Sequence, residues 1–333
     1  MAIEEHNVQV ISASRRTDIP AFHAEWFMHR IREGFVRVLS PFGGGISDIS
    51  LAPQDVTAIV FWTKNAAPML PYLDELRNLG YCFTFLYTIN NYPAFMEPAV
   101  PSWGHTLKII EQLSGRFSPA VVRWRYDTIV LTQSLDWNWH KGNFRQLCRS
   151  LAPYSAECIF SFCDYYKKTV RNMDLRAPGY WKPSEAQCKD MAEEMAHAAE
   201  QWGISIASCA HDFLLSENVT KAGCIDPEFL SLVVDSPERL AAVRDLKKAP
   251  TRKDCGCAAS RDVGAYDTCL HGCVYCYANA NPEVARKNVS LLRKDSPCLD
   301  PRVAGIGKPR AVPDLAGRSA RSGSSDDRRI GER

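Results

Sequence analysis

Short β-branched or aromatic runs alternate with stretches of helical periodicity from the start of the chain. Residues 8–12 (VQVIS) read as a buried strand, and an amphipathic stretch over 21–33 ends at Gly34. Residues 36–39 read as a second strand and 57–62 (TAIVFW) as a third. After the third, Met69, Leu70, Leu73, Leu76 and Leu79 fall at helical spacing, with Gly80 as the stop. A fourth strand is predicted over 82–89, then a helix that Ser102 caps and that runs to about Leu113. Three more strands are predicted over 121–124, 158–162 and 204–207. The clearest helix spans 184–202, where Ser184 and Gln187 make a capping box and Cys188, Met191, Met195, Ala198 and Trp202 share a face.

Strand–helix alternation sustained over this length predicts a parallel α/β fold, a partial or full (β/α) barrel of TIM type rather than an open sheet. No glycine-rich phosphate fingerprint follows the first strand, which argues against a dinucleotide fold. Polar clusters follow the strands instead: Ser14-Arg15-Arg16-Thr17-Asp18, Thr63-Lys64-Asn65, Asn90-Asn91, Arg125-Tyr126-Asp127 and Cys163-Asp164. In a barrel the C-terminal strand ends share one face, where active sites are built. Three regions follow from the texture of the chain. Residues 1–254 form the barrel body, and the cysteine-rich segment 255–298, with a helix over 282–293, completes it. Residues 299–333 are rich in Gly, Ser, Pro, Arg and Asp and are expected to be a disordered tail.

Composition narrows the setting. With 46% apolar and 23% charged residues over 333 positions, the chain can bury a sizeable core, which excludes disorder throughout. Forty Lys and Arg against 38 Asp and Glu leave a formal charge of +2, so no basic footprint announces nucleic acid. The first ten residues are polar, without the apolar core of a signal peptide, and no run of about 18 apolar residues offers a membrane span. A cytoplasmic protein with no membrane partner is therefore expected, in which thiols stay reduced. The 13 cysteines then need a role as core filler, nucleophile or metal ligands.

Near the C-terminal end the chain reads Cys255-Gly-Cys257, then Cys269-x3-Cys273-x2-Cys276. A close triplet of thiolates suits a [4Fe–4S] cube and leaves one iron without a protein donor. Zinc is the rival ion, with Cys255 or Cys257 as a fourth ligand. Cys209, Cys224, Cys255 and Cys257 are candidates for a second site, either an iron–sulfur cluster or zinc. Cys82, Cys148, Cys158, Cys188 and Cys298 read as buried or incidental, and Cys163 stands at a strand end beside Asp164.

The segment from Tyr266 to Ala278 (YDTCLHGCVYCYA) resembles the cluster loop of radical S-adenosylmethionine (SAM) enzymes. It is most similar to the DNA-repair-lyase branch that includes spore photoproduct lyase, whose loops run Y-x-x-C-x-H-x-C-x-Y-C-Y. In that superfamily the loop follows the first barrel strand, whereas here it lies near the C-terminus. Three other blocks keep the branch's order: ISASRRTDIP from Ile11 resembles its S-x-x-T-D-P stretch, FWTKN from Phe61 its Thr-Lys-Ser, and EPAVPS from Glu97 its Glu-Pro-x-x-Pro-Ser. The resemblance implies a circularly permuted relative in which residues 263–266 act as the first strand and 282–293 as the first helix. The combined pattern also resembles a bacterial family of unknown function over about residues 8–298.

The resemblance implies a radical SAM enzyme with Cys269, Cys273 and Cys276 on the [4Fe–4S] cluster. Ser14, Thr17, Asp18 and Lys64 would surround SAM, and Tyr275 would pack on its adenine. An external reductant such as flavodoxin or ferredoxin would supply one electron. Arg123, Arg125, Tyr126 and Asp127 are candidates for binding substrate, and kinship points to a nucleic acid or nucleotide. Alternatively, Arg125 and Asp127 form a buried pair, and Asp18 caps a helix. His271 is expected to hydrogen-bond near the cluster, and the Trp137-Asn138-Trp139-His140 stretch to start a helix packed on the barrel. Two other functional classes stand beside this one: a non-catalytic zinc or iron–sulfur binding or regulatory protein, and a barrel hydrolase or phosphatase with a structural metal site.

Overall fold

The computed structural model describes residues 8–304, apart from Phe42, Gly44 and Pro178. In chain order the elements are β1 (Gln9–Ala13), α1 (Ile19–Phe22), α2 (Ala24–Glu33), β2 (Phe35–Leu39), β3 (Ile46–Ser50), β4 (Val56–Thr63), α3 (Leu73–Asn78), β5 (Phe83–Thr88) and α4 (Trp103–Arg116). There follow β6 (Val122–Ile129), α5 (Trp137–Leu151), β7 (Glu157–Phe162), α6 (Lys167–Arg176), α7 (Glu185–Glu200), β8 (Ser205–Ser208), β9 (Val219–Lys221), α8 (Pro227–Leu230), α9 (Pro237–Arg244), β10 (Arg261–Asp262) and α10 (Pro282–Ser290).

Eight strands make one sheet in the order β10-β1-β4-β5-β6-β7-β8-β9, with every neighbouring pair parallel. Helices follow most of these strands, an arrangement compatible with a partial (β/α) barrel. Alternation along the strands builds two apolar layers. Ile11, Phe61, Phe85, Trp124, Phe160 and Ile206 face the helices. Val10, Ala58, Val60, Leu86, Ile159 and Ala207 face the other way and are covered by Ile225, Leu230, Val243 and Ala258. Phe27, Phe61 and Phe85 are fully buried, each contributing roughly 1.5–3 kcal/mol through removal from water.

Most predicted elements recur within two residues of their expected bounds, and the capping box at α7 is present, with Ser184 N–H donating to Gln187 and Gln187 N–H to Ser184 Oγ. The differences have local causes. Residues 36–39 do not join the main sheet, because a turn through Gly43 (φ 74°) folds β2 back against β3 as a separate antiparallel pair. The helix expected over 21–33 is split at His23, since Asp18 caps the short α1 ahead of α2. Pro71, which has no N–H to donate, leaves residues 67–72 as a 3-10 turn ahead of α3. Trp202 falls beyond α7 and is exposed. β9 carries only three residues, too few to show a period in sequence.

β10 pairs with β1 at Ile11–Arg261 and Ser12–Asp262, and Val263 N–H donates to the Ser12 carbonyl. The cysteine segment thus supplies the strand beside β1, two residues ahead of the predicted 263–266, and α10 follows it. The predicted tail begins too early, since Leu299 and Val303 are buried. Residues 305–333 of that tail lie outside the described residues. Among the described residues, no helix is long and apolar enough to cross a membrane.

Candidate functional site

Because all eight strands run the same way, the segments leaving β1, β4, β5, β6 and β10 emerge along one rim. The centre of that rim is Asp18, which is 6% exposed. Its Oδ1 accepts from Ala21 N–H at 3.0 Å and Thr63 Oγ1 at 2.7 Å, and its Oδ2 from Lys64 N–H at 2.7 Å and His271 Nε2 at 2.7 Å. Four donors fill the acceptor capacity of one carboxylate. Asp18 is therefore a helix cap and a clamp between the ends of β1 and β4 and the cysteine loop. His271 completes the tie, with Nδ1 3.1 Å from the Ala99 carbonyl oxygen.

A second hub is Glu97, buried to 3% exposure. Its Oε1 accepts from Lys64 Nζ at 2.8 Å, from Asn90 Nδ2 at 3.1 Å and from the Tyr275 hydroxyl. Burial works against the Lys64 charge, but Glu97, Cys273 and Asp127 outweigh it and hold its pKa above the usual value. Tyr275 also accepts from Asn90 Nδ2 at 2.9 Å, while Lys64 lies 5.7 Å from its ring centroid and Tyr92 meets it edge-on at 5.8 Å. Neither Glu97 nor Asn90 was singled out as a site residue in sequence. The signal available was the Glu-Pro block for one and a strand-end amide for the other.

The three thiols of the loop, Cys269, Cys273 and Cys276, are free. Burial pushes the Cys269 thiol up to about 12, with the Asp18 charge adding to it. Burial also raises Cys273 well above its ordinary value and raises Cys276, in both cases against the pull of Lys64. The backbone N–H groups of His271 and Asp18 favour a Cys269 thiolate, and those of Asn279 and Ala278 a Cys276 thiolate. Three soft donors on one loop, with N–H groups and a cation beside them, fit an iron–sulfur cluster, whose sulfurs are tuned by such donors. Among the described residues, no three Cys, His, Asp or Glu stand at the spacing of a single bare ion. A four-iron cube holds its thiolates farther apart than one ion does.

The remaining candidates divide by face. Ser14 Oγ donates to Asp262 Oδ1 at 2.7 Å and accepts from Arg16 N–H at 3.0 Å, so it holds the β1–β10 junction. Thr17 Oγ1 is buried without a hydrogen-bond partner. Arg125 pairs with Asp127 and lies 4.9 Å from the Trp62 ring, with Arg15 at 5.0 Å from the same ring. Arg125 Nε and Trp62 Nε1 are also buried and unpartnered. Arg123 lies near the opposite end of β6, bound to Glu157 at 2.6 Å, the Gly223 carbonyl at 2.7 Å and Asp226 at 3.1 Å. Tyr126 points the other way along the strand alternation, into the helix layer, where its hydroxyl meets His140 Nδ1 at 2.7 Å. Arg125 and Asp127 are thus positioned at the rim side of the sheet, whereas Arg123 and Tyr126 are structural.

The other four cysteines also meet. Cys209 Sγ and Cys224 Sγ lie 3.8 Å apart, and Cys257 neighbours Cys224 and Cys255. The interaction that Cys209 and Cys224 share lowers the Cys209 thiol and raises that of Cys224, and Cys224 and Cys255 lower that of Cys257. Cys163 is a buried thiol pushed up to about 12 by desolvation. A cavity of about 770 Å³ opens beside Glu97 and Asn90, lined among others by Asn91, Tyr92, Trp139 and Asn143.

Comparison with curated proteins finds no match. Two solved structures share 8% identity with the chain. One is assigned as an alpha-L-fucosidase from Bacteroides thetaiotaomicron, with a TM-score of 0.24 over 72% of this chain and 87% of that one. The other is the pneumococcal virulence factor StrH, with a TM-score of 0.25 over 71% of this chain and 62% of that one. Likeness of that degree bears on neither fold nor activity. The sequence pattern of the domain of unknown function DUF1848 matches residues 10–278, and the chain belongs to that family.

Proposed function

We propose that the protein is a radical SAM enzyme whose cluster is held by Cys269, Cys273 and Cys276. The observation that carries this reading is the docking of the C-terminal cysteine loop, through His271 on Asp18 and Tyr275 on Glu97, against the rim that also presents Lys64. A permuted chain needs that juxtaposition to rebuild the site whose loop its sequence resembles. When bound, a [4Fe–4S] cluster with one open iron and SAM would supply reductive C–S cleavage, one electron from a flavodoxin or ferredoxin giving methionine and a 5′-deoxyadenosyl radical able to take hydrogen from substrate. The chain's own residues position and enclose. Asp18 fixes the loop, Lys64 offsets negative charge beside Cys273, and Thr17 Oγ1 and Arg125 Nε offer unpartnered donors to a polar ligand.

The cavity beside Glu97 is within the usual range of about 300–1,000 Å³ for small-molecule sites. Its amides and aromatic rings suit hydrogen bonding to, and stacking on, a base-like or nucleotide-sized substrate. The near-neutral charge favours such a substrate over a duplex clamped by its phosphates.

Anaerobically purified protein should be brown and hold about four irons at the rim site. With dithionite and SAM it should release 5′-deoxyadenosine, and Cys273→Ala should release none. A colourless protein containing only zinc, or undiminished SAM cleavage by the variant, overturns the proposal.

A further inference from the structure

The main sheet ends in two strands, β9 and β10, that do not pair with each other among the described residues. The loops beside those edges meet across the gap, and there the four remaining cysteines of interest gather. Cys209 follows β8, Cys224 follows β9, and Cys255 and Cys257 precede β10. Cys209 Sγ and Cys224 Sγ lie 3.8 Å apart, and Cys257 neighbours both Cys224 and Cys255.

The backbone is shaped for this approach. A Cβ on Gly223 would stand 2.7 Å from the Gly256 carbonyl oxygen, and one on Gly256 would stand 2.5 Å from that of Ala222. Both contacts are with backbone, so neither glycine can take a side chain without moving the two loops apart. Ala258 N–H donates to the Ile225 carbonyl at 2.8 Å, and Ala249 N–H to that of Cys257 at 2.9 Å. Cys209, Cys224 and Cys257 are buried, and Cys255 is partly exposed.

We propose that Cys209, Cys224, Cys255 and Cys257 bind a soft metal centre that latches the two open edges of the sheet together. Two thiolates on one tetrahedral ion, with bonds of about 2.3 Å, stand about 3.8 Å apart. Cys209 and Cys224 already have that spacing. Three donors are not yet gathered around one point, so Cys257 and the less buried Cys255 close onto the centre as it binds. Four thiolates on a divalent ion carry a net charge of about −2. Arg252, whose Nη2 lies 3.6 Å from Cys209 Sγ, and Arg125 supply the offsetting positive charge. None of the four cysteines belongs to the rim triplet, although Arg125 neighbours both sites.

The test uses the full chain with Cys269, Cys273 and Cys276 all changed to alanine, which empties the rim. Zinc, iron and acid-labile sulfide are measured after anaerobic purification and desalting, alongside the melting temperature with and without chelator. The triple variant should retain bound metal, and adding Cys255→Ser and Cys257→Ser should reduce it at least tenfold. Chelation should lower the melting temperature and raise hydrogen exchange at 222–225 and 255–258. Zinc, or iron without sulfide, identifies a single ion, and iron with matching sulfide identifies a cluster on the same thiolates. A folded triple variant with no metal, or a Cys209–Cys224 disulfide in its place, overturns the proposal. If the triple variant does not fold, Cys255→Ser in the otherwise unchanged chain must lower total metal below that of the wild type. Unchanged metal content then overturns it.

Discussion

Asp18 and His271, 253 positions apart in sequence, share a 2.7 Å hydrogen bond between Oδ2 and Nε2. With the other three contacts of the same carboxylate, to Ala21, Thr63 and Lys64, one side chain joins the first turn of α1 and the end of β4 to the cysteine loop. This is how a loop near the far end of the chain comes to sit over the first strand.

Replacing that carboxylate should loosen the loop. Asp18→Asn keeps the size of the side chain and one acceptor, but puts an NH2 where two donors already point. Hydrogen bonds to a charged group are worth about 1.5–3 kcal/mol, and the variant should lose an amount of that order in urea unfolding. Hydrogen exchange at 267–276 should rise in parallel, and less iron should be retained. Unchanged exchange in the loop would show that Asp18 does not hold it.

Gly264 meets the same junction from β10. A Cβ there would lie 2.1 Å from Ser14 Oγ and 2.6 Å from Ser14 Cβ, and Asp262 holds Ser14 in place. Gly264→Ala should cost about 1–3 kcal/mol, the range for overpacking. Adding Ser14→Gly removes both clashing atoms and should recover much of that loss in a thermal melt. Equal melting temperatures for the single and double variants would place the strain elsewhere.

What could be read from sequence and what could not follows from the range of the interactions. The apolar run in residues 57–62 is local and was legible as a strand, whereas the placing of Phe61 towards the helices and Trp62 towards the arginines comes from the sheet. Strand alternation in β6 divides Arg125 and Asp127 from Tyr126. Pro71 and Gly43 also acted locally, yet each redirected an element whose hydrophobic pattern alone promised something longer. Glu97 was legible only as part of a proline-rich block. Its burial exists because Lys64, Asn90 and Tyr275 arrive from three other segments. Asp262 is similar: it accepts from Ser12, Ser14, Arg15 and Arg16, all on the far side of 245 or more residues of intervening chain. Such hubs have no periodic signature, because their partners are set by strand order.

Stability should fall on the acid side of neutrality, and His140 gives the sign. Its Nε2 donates to the Val130 carbonyl at 3.0 Å, and Nδ1 faces the Tyr126 hydroxyl at 2.7 Å, the pattern of a neutral ring. Burial lowers its pKa from 6.5 to about 4. The unfolded chain therefore takes up this proton below pH 6.5, whereas the folded chain resists until about 4. The stability is complete above the upper value, declines through the window and levels off below it. The linkage amounts to about 3 kcal/mol over the whole window. His23, also lowered by burial, acts in the same direction. In urea titrations across that range, His140→Phe should show a shallower slope of stability against pH. An identical slope would rule out His140 as a source of the acid sensitivity.

Lys64 and Glu97 allow structure and chemistry to be separated. Their 2.8 Å ion pair is almost wholly buried, so removing one partner leaves a charge without compensation. Lys64→Met alone should cost about 3–5 kcal/mol, whereas replacing both partners by uncharged groups of similar volume is often close to neutral. The double variant Lys64→Met, Glu97→Gln should therefore unfold near the wild-type midpoint. If Lys64 serves only to balance Glu97, the double variant will also cleave SAM normally. If the lysine holds charge beside Cys273 and a bound ligand, 5′-deoxyadenosine formation should stay at least tenfold down although stability has returned. A double variant with restored stability and full activity would remove Lys64 from the site and leave it as a partner of Glu97 alone.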